Sequence, residues 1–117
     1  MTTLVLGASP DASRYSNMAI NRLRQYGHQV VAFGPRKGDV AGVPITQLFP
    51  ISGVDTVTLY IGPERQAEYY EKVVALRPRR VIFNPGTENS EFMQMLRDAQ
   101  IEVDVACTLV MLGSGTY

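Results

Sequence analysis

The chain has 117 residues, enough to bury one hydrophobic core, so a single domain over residues 1–117 is expected. Its 11 basic and 11 acidic side chains cancel, which excludes a global field that would draw it to nucleic acid or an anionic membrane. The single cysteine, Cys107, excludes an internal disulfide and suits a reducing compartment, and no apolar run approaches the roughly 20 residues that span a bilayer. With no secretory leader pattern at the start, a soluble cytoplasmic domain is expected.

The first predicted strand is Thr3–Gly7. It opens a loop of small and polar residues, Ala8-Ser9 through Tyr15-Ser16-Asn17, and leads to a helix from Asn17 to Tyr26 stopped by Gly27. Met18, Ala19, Leu23 and Tyr26 are its expected apolar stripe, with Ser16 or Asn17 as N-cap. A strand, a glycine turn and a helix at the start of an α/β chain form a ready phosphate site, because the helix offers unpaired N–H groups and a positive dipole end. The dinucleotide fingerprint wants three glycines, and only Gly7 is present. Gly7 should tolerate no side chain, since a Cβ there would meet ligand or force an unfavourable backbone.

The second strand is Gln29–Phe33. From Pro35 to Asp55 the chain is rich in proline and glycine, and is expected to be mostly loop with one helical turn near Gln47. Thr56–Ile61 forms the third strand, and the following helix starts at Pro63 and ends at Pro78, with Ala67, Tyr70, Val73, Val74 and Leu76 inward. Arg80–Asn84 is the fourth strand, and a helix starting near Asn89-Ser90-Glu91 turns Phe92, Met93, Leu96 and Ala99 to the core. Glu102–Ala106 is the fifth strand; the tail from Thr108 to Tyr117 reads equally as helix or strand. Strands rich in Val, Ile and Leu, alternating with helices, predict a Rossmann-like open α/β sheet of about five parallel strands with helices on both faces.

In such a sheet the ligand sits outside the carboxyl ends of the strands. Those ends read Gly7-Ala8-Ser9-Pro10, Gly34-Pro35-Arg36-Lys37, Ile61-Gly62-Pro63 and Asn84-Pro85-Gly86. The second decides the ligand class. An NAD-binding domain places a carboxylate there, about 20 residues past its glycine loop, to hold the ribose. Here Arg36 and Lys37 follow instead, which favours a ligand with an additional ribose phosphate, either NADP or coenzyme A; the bland alternative is a pair of solvated loop charges.

The runs Leu6-Gly7-Ala8-Ser9, Arg14-Tyr15-Ser16-Asn17, Val57-Thr58-Leu59-Tyr60-Ile61, Val81 through Glu88 and Ala106 through Leu112 together resemble the small single-domain CoA-binding proteins. These are close in architecture to the CoA-binding domain of the succinyl-CoA synthetase α subunit. The resemblance spans the whole chain and implies coenzyme A as the ligand. It places the phosphates against the loop from Ser9 to Asn17, the nucleotide end against Pro35-Arg36-Lys37-Gly38, and a further contact at Asn84-Pro85-Gly86. The first loop departs from the synthetase in lacking its extra glycines; the hydroxyls of Ser9, Ser13 and Ser16 and the Arg14 guanidinium are the expected replacements.

No catalytic apparatus can be assembled from the sequence: there is no metal-ligand cluster and no nucleophile with a paired base. His28, the lone histidine, falls at the amino ends of the strands and reads as structural. Cys107 ends the last strand on the ligand edge, where packing and contact with a pantetheine thiol are the two readings. Tyr60 is expected to pack under a helix, and Met93, Met95 and Tyr69-Tyr70 to belong to the core or a helix surface. The expected function is binding of coenzyme A or an acyl-CoA without catalysis; the alternative is a small NADP-dependent oxidoreductase or NADP sensor. A homodimer or a protein partner stays open.

Overall fold

In a computed structural model that describes residues 1–117, β1 (Thr2–Leu6) is the central strand, with a parallel neighbour on each side. β2 (Gln29–Phe33) pairs with it through Leu4 opposite Val31, and β5 (Thr56–Leu59) through Leu4 opposite Val57. β6 (Arg80–Phe83) and β7 (Glu102–Val105) continue outward from β5, also in parallel. These are the five predicted strands, most of them ending one residue earlier than the apolar run suggests.

The segment after β2 departs from expectation. It contains two further short strands, β3 (Asp39–Val40) and β4 (Val43–Thr46), which complete a seven-stranded sheet of order β3-β4-β2-β1-β5-β6-β7. β4 is parallel to β2, and β3 is antiparallel to β4 with Val40 opposite Val43. Ala41 and Gly42, with φ of 50° and 80°, form the two-residue turn between them, the backbone a tight hairpin requires. The helical turn expected near Gln47 is absent; its side-chain amide instead donates to the carbonyls of Gly34 and Ile45, both at 3.2 Å.

Side-chain alternation sends each strand's residues to two covered faces. Leu4, Leu6, Val57, Leu59, Val81 and Phe83 meet α2 (Tyr70–Leu76) and α3 (Ser90–Asp98) through Val73, Leu76, Phe92 and Leu96. On the opposite face Val5 and Ala32 meet Ile20 and Leu23 of α1 (Tyr15–Gln25) and Leu112 of α4 (Thr108–Ser114). The tail left undecided by the sequence is therefore helical up to Ser114.

The helices start where local chemistry allows. α3 follows its prediction: the Asn89 carboxamide caps it by accepting from the Phe92 N–H at 3.1 Å. At α1 the predicted cap fails. Arg14 takes the N-cap position with extended backbone, while Ser16 and Asn17 lie buried in the first turn. The buried stripe is Ala19, Ile20 and Leu23; Met18 and Tyr26 face solvent. Pro63 starts only a 3₁₀ turn, Pro63–Arg65, followed by a second, Ala67–Tyr69, before α2 begins. Gln66, between the two turns, takes the inward place expected of Ala67 and is completely buried.

The amino edge of the sheet is closed by Tyr117. Its hydroxyl bonds Thr3, its ring stacks under the Arg80 guanidinium at 4.4 Å, and His28 packs edge-on against it.

Candidate functional site

The chain builds outward from β1 through β2 to β4, then returns to place β5 on the other side of β1. At such a reversal the loops leaving adjacent strands diverge and open a crevice at the carboxyl edge. A cavity of about 370 Å³ lies there. The loop after β1 supplies Gly7, Ala8 and Ser9, and the start of α1 supplies Arg14, Tyr15 and Ser16. Pro35 and Arg36 follow β2; Tyr60, Ile61, Gly62 and Arg65 follow β5; Pro85, Gly86 and Thr87 follow β6.

Close backbone contact shapes the first two loops. Gly7 has φ of 102°, and a Cβ there would lie 2.8 Å from Ile61 Cγ2 and 3.0 Å from the Tyr60 carbonyl carbon. The N–H groups of Gly7 and Ala8 both donate to the Phe33 carbonyl, at 2.9 and 2.8 Å, so these amides hold the two loops together. Gly34 is tighter still: a Cβ there would stand 2.2 Å from the Ala8 carbonyl oxygen. The loop that follows is held by its own side chains. The Asp11 carboxylate accepts from the Ser13 N–H and hydroxyl, bonds that keep its pKa below the ordinary value, and Asn17 donates to the Ser9 carbonyl at 3.0 Å.

The opposite wall is held by Gln66. Its amide nitrogen donates to the carbonyls of Ile61 and Thr87 at 3.0 and 2.7 Å, and its oxygen accepts from Asn89 at 3.0 Å. One buried side chain thereby sets the distance between the loops after β5 and β6. Such a group is costly to leave unpaired, by about 1–3 kcal/mol.

The charge of the cleft follows from what its arginines lack. The ion pairs of the molecule are Arg79–Asp55 and Arg80–Asp104, both involving the amino end of β6. Arg14, Arg36 and Arg65 come from three different loops and have no ion-pair partner within 4.0 Å. The N–H groups of Tyr15 and Ser16 at the start of α1, and of Ile61 and Gly62 after β5, have no acceptor in the chain. A chain with no net charge thus gathers positive groups and free donors at one crevice, the arrangement that receives phosphate oxygens.

Two further cavities share its walls. One, of about 330 Å³, runs past Gly7, Pro35, Ile61 and Arg65 to Phe33, Gly34, Gln47 and Tyr69. The Phe33 ring meets Tyr69 edge-on there at 5.6 Å. The other, of about 250 Å³, runs past Tyr15, Tyr60 and Pro85 to Asn84, Cys107 and Leu109. Asn84 is fully engaged: it donates to the Thr58 hydroxyl and the Leu59 carbonyl, at 2.6 and 2.8 Å, and accepts from the Thr108 N–H at 2.9 Å. It fastens the start of α4 to β5. Burial pushes the Tyr60 phenol up to about 12, against the opposing pull of Thr108 and Thr58, so it stays protonated at neutral pH.

Most of the residues picked from the sequence converge on these cavities. Asn17, Lys37 and Pro63 line none of them; Asn17 is a brace within its loop and Lys37 is exposed. Tyr60, Arg65 and Thr87 are additional wall residues. Tyr60, one residue past the end of β5, packs as expected against the core that α1 and α4 cover, and it also lines the crevice. Arg65 had a visible signal: a cation close behind a strand-end Gly-Pro.

An open, mostly parallel α/β sheet with its crevice at the strand reversal defines a Rossmann-like domain. The sequence matches the family described as a CoA binding domain over residues 1–113, and the chain belongs to that family. It is similar to a protein of known crystal structure described as uncharacterized, with 48% identity and a TM-score of 0.96 over 99% of this chain and 97% of that one. A Thermus thermophilus protein is 28% identical, with a TM-score of 0.84 over 99% of this chain and 90% of its own. A hypothetical protein from Pyrococcus horikoshii, at 24% identity and a TM-score of 0.81 over 97% and 81% of the two chains, shares the fold. No curated protein matches the chain. No helix is long and apolar enough to cross a membrane.

Proposed function

We propose that the chain binds coenzyme A or an acyl-CoA along the three connected cavities, as a single-domain cytoplasmic binding protein with no catalytic apparatus of its own. The observation that carries this reading is the set of unpaired arginines, Arg14, Arg36 and Arg65, around a crevice at the strand reversal of a CoA-binding-family fold. The order of the cavities supports it. An aromatic cavity beside Phe33 and Tyr69 suits the adenine, the cationic crevice suits the phosphates, and the narrower apolar cavity beyond Tyr15 and Tyr60 suits the pantetheine arm. Within this reading Arg36 meets the ribose 3′-phosphate, and Arg14 and Arg65 meet the pyrophosphate with the amides of Tyr15 and Ser16.

Calorimetry with coenzyme A, dephospho-CoA and NADP tests the assignment. A charge-assisted phosphate contact contributes about 1.5–3 kcal/mol, so coenzyme A should bind at least about tenfold tighter than dephospho-CoA. Equal binding of these two would remove the 3′-phosphate from Arg36. Tighter binding of NADP than of coenzyme A would overturn the ligand class.

A further inference from the structure

The apolar cavity at the start of α4 does more than accommodate a thiol. We infer that it is an acyl chamber, and that the protein binds short-chain acyl-CoA more tightly than free coenzyme A, with no further gain for chains longer than the chamber holds. This inference rests on the coenzyme A reading and adds the size of the acyl group to it.

The chamber continues from the phosphate crevice, since Tyr15, Tyr60 and Pro85 form walls of both. Beyond them its walls are Leu109 and Cys107, with Asn84 at the base already committed to Thr58, Leu59 and Thr108. The Asn84 carboxamide is thereby taken up by the protein itself, whereas apolar surface from Leu109 and the two tyrosine rings is available. A free thiol would leave that surface wet; an acyl chain would cover it.

Size sets the limit. A volume of about 250 Å³ corresponds to about eight water volumes at roughly 30 Å³ each, and so to about eight non-hydrogen atoms. The two methylenes and the sulfur that end the pantetheine arm take about three of these places, which leaves about five, room for the four carbons and one oxygen of a butyryl group. Each methylene buried in the chamber should strengthen binding about fourfold. A longer chain must emerge past the walls, and its additional carbons gain nothing.

Competition binding with coenzyme A, acetyl-CoA, butyryl-CoA and decanoyl-CoA tests this on wild type, Leu109→Trp and Leu109→Ala. Wild type should prefer butyryl-CoA to acetyl-CoA by about 15-fold, from two methylenes at about fourfold each, with decanoyl-CoA no tighter than butyryl-CoA. In Leu109→Trp the indole occupies the chamber, and the butyryl-to-acetyl ratio should fall to about one. In Leu109→Ala the plateau should move to longer chains, which decides the matter if the tryptophan variant does not fold. Tight binding of coenzyme A with a flat acyl series, or a rise that continues through decanoyl-CoA, overturns the chamber and leaves the coenzyme A site standing. Failure of wild type to bind any of the four removes both.

Discussion

Replacement of Arg14, Arg36 and Arg65 together by glutamine is expected to lower the affinity for coenzyme A by at least about 100-fold while the protein still folds. Each guanidinium is exposed in a loop and belongs to no ion pair within 4.0 Å, so the folded chain loses only the solvent-screened attraction of Arg14 and Arg36 to the Asp11 carboxylate when the charge goes. Each phosphate contact contributes about 1.5–3 kcal/mol, and even strongly non-additive losses from three of them exceed about 2.7 kcal/mol, the equivalent of 100-fold. The wild-type affinity should also fall steeply with added salt, and the triple variant's should not. Calorimetry at two salt concentrations, with thermal melts as the control for folding, measures both. An affinity within about fivefold of wild type would place the phosphates elsewhere.

Gly34→Ala is expected to destabilise the protein by about 3 kcal/mol, near the upper end for forced overpacking. In a domain of this size that corresponds to a fall in melting temperature on the order of 15 °C. The cause is a backbone contact rather than a strained φ: the added Cβ would sit 2.2 Å from the Ala8 carbonyl oxygen, and no rotamer relieves it. The loop after β1 would have to separate from the end of β2, breaking the bonds of Gly7 and Ala8 to Phe33 that define the crevice. Gly113→Ala is the matched control. That glycine lies within α4, has open space around its would-be Cβ, and should gain about 0.5–1 kcal/mol on substitution. Thermal melts of the two variants should therefore move in opposite directions. A Gly34→Ala protein as stable as wild type would mean that the two loops are not in contact.

The apolar runs made β1, β2, β5 and β6 readable, because strands covered on both faces need little beyond Val, Ile, Leu and Phe; at the edge, β7 showed only its alternating valines. The start of α3 was equally plain, since Asn89 caps it through its own side chain. The hairpin of β3 and β4 was hidden because Ala41-Gly42 lacks the usual Asn-Gly signature and Pro44 interrupts the strand pattern. α4 was hidden because Thr108 to Leu112 is apolar enough to pass for a strand. At the crevice, the glycine and proline turns marked the strand ends, so the residues on them could be picked in advance. What the sequence does not display is how those turns are held. Gln66 looks like one more polar residue of a helix, and only the break between two 3₁₀ turns puts it inside, bonded to both walls. Ser16 and Asn17 look like helix caps; the Asn17 side chain is instead needed to fold the loop back onto Ser9.

The most direct test of coenzyme A binding in the crevice is a backbone amide NMR titration of isotope-labelled protein with coenzyme A. The largest shifts are expected at Ser9, Tyr15, Ser16, Ile61, Gly62 and Gly86, on the loops that line the crevice at the carboxyl edge. His28, Asp55 and Tyr117, at the opposite edge, should stay where they are. Shifts concentrated on that opposite edge, or none at saturating ligand, would contradict binding in the crevice.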